Sequence, residues 1–237
     1  MKMQLLDIKH FDMFQGTLHE EKIKKNFALF CCGSEKKDII KYEDIDFVMT
    51  HVTTSDNQCK DILEKGIQAN HEVYKNVNSQ LRRYLDKYGV SINFEEQSIS
   101  CKGKSFFYKD EQNDEDEEIS KALNQLFYDF SVCGFKSVNE VQYTCLKNRP
   151  ELIDKISNQF NLNMSSEWTK QSKPYMISAL VKNVDIFCGS FFEKTIEELL
   201  YEAYKQANRE SSKRIILKDN INVSIDDIIE VKPLSFW

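Results

Sequence analysis

The segment Phe47-Val48-Met49-Thr50-His51-Val52-Thr53-Thr54 carries the residue types best suited to chemistry in this sequence. It reads as a short β-strand, rich in β-branched and apolar residues. Period two puts His51 and Thr53 on one face of that strand. An imidazole beside a hydroxyl can grip the hydroxyls of a ribose. A helix starting just downstream would favour an anionic phosphate at its N-terminus. The same residues have a plainer reading: a lone His on an apolar strand is more often a satisfied core residue, and Thr53 and Thr54 serve as strand formers or as a helix cap.

Several elements must hold that strand in place. Cys59, Ile62 and Leu63 form a short helical stripe, with Ser55 or Asp56 as its N-cap and Gly66 at its end. Val73, Val77, Leu81, Leu85 and Tyr88 repeat at helical spacing as one helix that Gly89 stops. Ile119, Ala122, Leu123, Leu126 and Phe130 make a third helix, and Pro150 opens a fourth along Leu152, Ile153, Ile156 and Phe160. Thr195 and Glu198 have capping-box spacing at the head of a fifth. Strands are expected at Val90–Phe94, in a hairpin over Ile99–Cys101 and Lys104–Tyr108, and at Tyr175–Val181, Ile215–Leu217 and Ile228–Val231. Helices and strands alternate without a strict βαβ rhythm, so the expected class is α+β.

Composition narrows the function classes. The chain has 237 residues, 41% of them hydrophobic, with 16 Phe and 10 Tyr, enough for a sizeable core. Only 7 Gly and 3 Pro occur, no flexible linker divides it, and one domain over 1–237 is expected. Its most mobile part should be the acidic run at 110–118, a solvated loop feeding a helix N-terminus. A net charge of −6 supplies no global field toward nucleic acid. The seven cysteines have no disulfide or zinc spacing, which points to reduced thiols in a cytoplasmic protein. No apolar stretch is long enough for a membrane span, and the N-terminus does not read as a signal peptide. Walker, G-x-G-x-x-G, H-E-x-x-H and G-x-S-x-G motifs are absent.

The His51 segment, with its His-x-Thr, capped short helix and Gly66-Ile67, resembles the first motif of the ADP-ribosyltransferase superfamily. The likeness is to DNA-targeting ADP-ribosyltransferase toxins and, more weakly, to RNA 2′-phosphotransferases. It extends to a core strand around Tyr175 and to Arg214-Ile215-Ile216-Leu217 as a last catalytic strand, about half the chain. The resemblance implies two packed, mostly antiparallel sheets with surrounding helices and NAD in the cleft between them. It implies that His51 contacts the ribose next to nicotinamide, that Thr53 anchors the nicotinamide amide, and that Thr54 and Tyr175 line the cofactor site. It implies transfer of ADP-ribose to nucleic acid, ahead of protein, in a toxin-like or phage-defence setting. The family's Glu at the start of the last strand is replaced by Arg214, which would neutralise phosphate or acceptor charge, with Glu210 four residues earlier as the candidate general base. That departure admits an alternative: an inactive relative that binds a nucleotide or a partner protein, as an antitoxin or inhibitor does, whereas an active toxin would itself have an antitoxin partner.

Overall fold

In the computed structural model, residues 46–108, 117–135, 149–187 and 214–234 are described. They form an α+β fold with two antiparallel sheets. The expected fifth helix, Glu210 and most of the acidic run lie outside the described residues.

The larger sheet has five strands in the order β7-β5-β1-β6-β8. These are β1 (Asp46–Ser55), β5 (Cys133–Phe135), β6 (Lys173–Lys182), β7 (Arg214–Ile216) and β8 (Ile228–Pro233). The two longest strands, β1 and β6, pair over their whole length, Asp46 opposite Lys182 through Ser55 opposite Lys173. The His51 strand is therefore the centre of the sheet. One face is apolar: Met49, Ile177, Ala179 and Val181 pack with Ile215, Leu217, Val132 and Val223. Burying one such side chain contributes roughly 1.5–3 kcal/mol, which fixes the register of the ladder.

The smaller sheet is a meander of β2 (Ser91–Asn93), β3 (Ser98–Cys101) and β4 (Lys104–Phe107). Lys102 and Gly103, both at positive φ, make its two-residue turn, as the hairpin reading expected. Ile92, Ile99 and Cys101 are the buried residues of this sheet's inner face. They belong to a second core, built on the helices, with Leu123, Leu126, Ile153, Ile156 and Trp168.

Six helices are described: α1 (Lys60–Lys65), α2 (Asn70–Lys75), α3 (Gln80–Lys87), α4 (Glu117–Phe127), α5 (Glu151–Gln159) and α6 (Met164–Gln171). The expected single helix through Val73 and Tyr88 is two, α2 and α3. Asn76 Oδ1 accepts the Asn78 N–H at 3.0 Å, and Ser79 caps α3 by accepting the Arg82 N–H at 3.1 Å. Local side-chain bonds of this kind compete with the helical ladder and end it. α6 was not expected: its polar sequence buries only Met164 and Trp168, one turn apart. Glu117 and Glu118, the end of the acidic run, open α4 as expected.

Candidate functional site

His51 sits in the middle of β1, opposite Ile177 of β6, and Thr53 sits opposite Tyr175. Directly opposed residues in an antiparallel ladder project to the same side. His51, Thr53 and Tyr175 therefore share the apolar face of the large sheet. Both His51 and Thr53 are half-buried, and Tyr175 is buried.

The imidazole is held by a neighbouring strand. His51 Nδ1 lies 2.8 Å from the carbonyl oxygen of Cys133 in β5. A carbonyl only accepts, so Nδ1 carries the proton and donates it. Burial lowers the pKa of His51 from 6.5, and the bond to the Cys133 carbonyl offsets part of that shift. The ring is neutral at neutral pH, and Nε2 presents a lone pair with no partner among the described residues. Such a nitrogen accepts a hydrogen bond from a hydroxyl, a ribose hydroxyl among them.

Beyond Thr53 the strand runs into a tight polar turn. Ser55 Oγ accepts the N–H groups of Asn57, at 3.2 Å, and Cys59, at 2.9 Å. Gln58 and Cys59 both have positive φ, and α1 starts from Cys59 without a side-chain cap. Ser55 thus shapes the turn and is not the N-cap expected of it. Burial pushes the Cys59 thiol up to about 11, partly opposed by a hydrogen bond with Ser55, so it stays protonated at neutral pH. Tyr175, beside it, is also pushed up by burial.

The remaining candidates separate from His51. Thr54 points to the opposite side of the sheet, where its Oγ1 accepts the indole N–H of Trp168 at 2.9 Å. Arg214 pairs with Phe135, which pairs with Thr50. It therefore projects from the Thr50 side of the sheet and not from the His51 side. There it is exposed, near the Cys133 thiol, whose pKa burial and Asp129 raise and Arg214 lowers. Glu210 lies outside the described residues. The geometry brings together His51, Thr53 and Tyr175, and it divides them from Thr54 and Arg214.

Two residues that sequence reasoning did not single out hold the site. The Cys133 main chain orients the imidazole, and a main-chain acceptor leaves no trace in residue types. Gly134 left one: a glycine inside a short strand marks a close approach. A Cβ at this position would overlap the Met49 side chain and come within 2.9 Å of the Thr50 carbonyl oxygen.

Among the described residues, no group of three or more His, Cys, Asp or Glu could hold a metal ion, and no helix is long and apolar enough to cross a membrane. Compared with protein-family models, with curated proteins and with solved structures, the chain matches none of them.

Proposed function

We propose that the chain binds NAD through His51 and Thr53 and transfers ADP-ribose from it to a macromolecule, nucleic acid ahead of protein. One observation carries this reading: a neutral imidazole, fixed as its Nδ1–H tautomer, and a hydroxyl project side by side from the central strand. The open lone pair of His51 Nε2 would accept from a ribose hydroxyl and hold the sugar. Thr53 would meet the carboxamide of nicotinamide, with Tyr175 packed against it. Departure of nicotinamide leaves a cationic anomeric carbon that an acceptor nucleophile attacks. Glu210 is the candidate base for that nucleophile.

The position of Arg214 favours a second reading, binding without turnover. Its side chain leaves from the other face of the sheet, so it cannot stand in for a carboxylate beside His51. A protein of this kind would hold a nucleotide or a partner and transfer nothing.

Two measurements test these readings together. A ligand bound only by the folded state, present at 100 times its Kd, raises stability by about 2.7 kcal/mol. NAD should therefore raise the Tm of the wild type and leave those of His51→Ala and Thr53→Ala unchanged. Label from adenylate-labelled NAD should appear on added DNA, RNA or protein and should depend on His51. A Tm shift without transfer selects the second reading. No Tm shift at any NAD concentration removes the transferase reading and removes NAD as the ligand of the second.

A further inference from the structure

A cavity of about 450 Å³ is lined by His71, Glu72, Lys75, Asn76, Phe130 and Asn220, none of which belongs to the set around His51. Three different chemistries converge there. The first is a ring surface. Phe130 and His71 lie with centroids 4.8 Å apart, and His71 is braced edge-on against Phe94 at 5.3 Å. The His71 ring is also tied down, because Nδ1 donates to the Leu126 carbonyl at 3.2 Å.

The second is a fixed carboxylate. Glu72 Oε2 accepts from Asn222 Nδ2 at 2.8 Å and from Gln68 Nε2 at 3.3 Å. Those bonds immobilise the group and leave Oε1 without a partner among the described residues. The third is a cation: the Lys75 ammonium lies one turn along α2 from Glu72, exposed, with no ion pair among the described residues. Residues at i and i+3 occupy the same side of a helix, so carboxylate and ammonium reach the same opening. Across the cavity, Asn220 adopts a left-handed conformation, φ 63°, and its N–H is bonded to the Phe130 carbonyl at 3.0 Å. That bond fixes the loop, and the Asn220 side-chain amide has no partner among the described residues.

We propose that this cavity is a binding site for a nucleoside 5′-monophosphate. The base lies against Phe130 and His71, where any nucleobase can stack. The ribose hydroxyls donate to Glu72 Oε1, as ribose hydroxyls donate to an Asp or Glu in dinucleotide-binding folds. The phosphate meets the Lys75 ammonium, with the Asn76 and Asn220 amides as further donors. The volume lies at the small end of the roughly 300–1,000 Å³ spanned by ligand sites. It suits a mononucleotide, and its lining shares no residue with the set around His51, so the site is separate from the one proposed there and does not depend on it.

Calorimetric titration of the full chain with adenosine, guanosine, cytidine and uridine monophosphates tests the site, with the parent nucleosides and inorganic phosphate as separate arms. At least one monophosphate should bind with a millimolar or smaller Kd, more tightly than its nucleoside and than phosphate alone. Lys75→Ala should abolish the preference for the monophosphate over the nucleoside. Phe130→Leu should weaken both about tenfold, and His51→Ala should change neither. Should Phe130→Leu fail to fold, the exposed Lys75→Ala variant decides alone. Absence of binding by all four monophosphates overturns the proposal. So does phosphate binding as tightly as the nucleotides, or loss of nucleotide binding in His51→Ala.

Discussion

The indole N–H of Trp168 donates to the hydroxyl of Thr54 at 2.9 Å, joining the helical core to the central strand of the large sheet. Trp168 is fully buried, with its ring edge-on to Tyr84 at 4.8 Å. The Tyr84 hydroxyl donates in turn to the Met164 carbonyl at 2.7 Å. Trp168 Nε1, Thr54 Oγ1 and Tyr84 Oη are each paired, so the seam joins the two cores through satisfied groups, while the neighbouring Ser165 Oγ is buried without a partner among the described residues. Thr54 lies three residues from His51 on the same strand, and the seam limits how far that strand can shift.

Thr54→Val keeps the shape of the side chain and removes the acceptor. The Trp168 N–H would then be buried without a partner, a loss of about 1–3 kcal/mol. Chemical denaturation should show that loss, while Thr54→Ser should retain most of the wild-type stability. Equal stability of the Val and wild-type proteins would mean that the bond contributes nothing.

Gly66 ends α1 at φ 80°, and a Cβ there would overlap the Val223 carbonyl oxygen. That carbonyl accepts the Ile67 N–H, and the Val223 N–H donates back to Ile67, both at 3.0 Å. Gly66→Ala therefore strains the backbone and separates this bridge, whose two residues belong to the same apolar core as Tyr175. The expected cost exceeds about 2 kcal/mol, the range of backbone incompatibilities. Gly89, which also has positive φ but open space around it, should lose much less on the same substitution. A pair of denaturation curves that rank Gly89→Ala as the worse variant would contradict this account.

Much of the architecture was legible because long, strongly patterned segments determine their own partners. The strands around His51 and Tyr175 announced themselves, and their ten-residue ladder is the centre of the fold. The class was legible from the irregular alternation of helices and strands. Two things were not. Asn76 and Ser79 look neutral in a run of helical spacing, yet their side chains bond to nearby main chain and break the helix there. The site was less legible still. Period two correctly put His51 and Thr53 on one face, but which face Arg214 takes depends on its register across β5. Three-residue strands such as β5 and β7 carry too little pattern to specify that register from sequence.

Lys155 is 4% exposed, and its ammonium reaches the Glu151 carboxylate at 2.8 Å, one turn earlier on α5. Hydrogen bonding from Lys155 holds the Glu151 carboxyl below its usual range, and burial opposes this. Glu151→Ala leaves the ammonium without its carboxylate at the edge of an apolar core. Lys155→Met keeps the packed stem and removes the charge. Breaking a buried pair costs more than replacing it, and the exposure of Glu151 reduces the difference to roughly 1 kcal/mol. Urea midpoints should therefore place Glu151→Ala below Lys155→Met, with the double variant near Lys155→Met. The reverse order would show that the ammonium is solvated without its partner.

His51 gives a pH dependence whose direction follows from its burial. Its folded pKa lies below 6.5, so on acidification the unfolded chain takes up this proton first. The stability gained by keeping the ring neutral is complete above 6.5 and is lost as the pH falls toward the folded pKa. His51→Gln does not titrate, and its side-chain amide still has an N–H for the Cys133 carbonyl. Between roughly pH 8 and pH 5, the histidine range, the wild-type urea midpoint should fall further than that of His51→Gln. The same proton would occupy Nε2 and remove the lone pair proposed to accept from ribose. The Tm shift produced by NAD should shrink over the same interval. Parallel stability curves for wild type and His51→Gln would mean that the imidazole is protonated as easily in the fold as in water. The neutral-acceptor role would then have no basis.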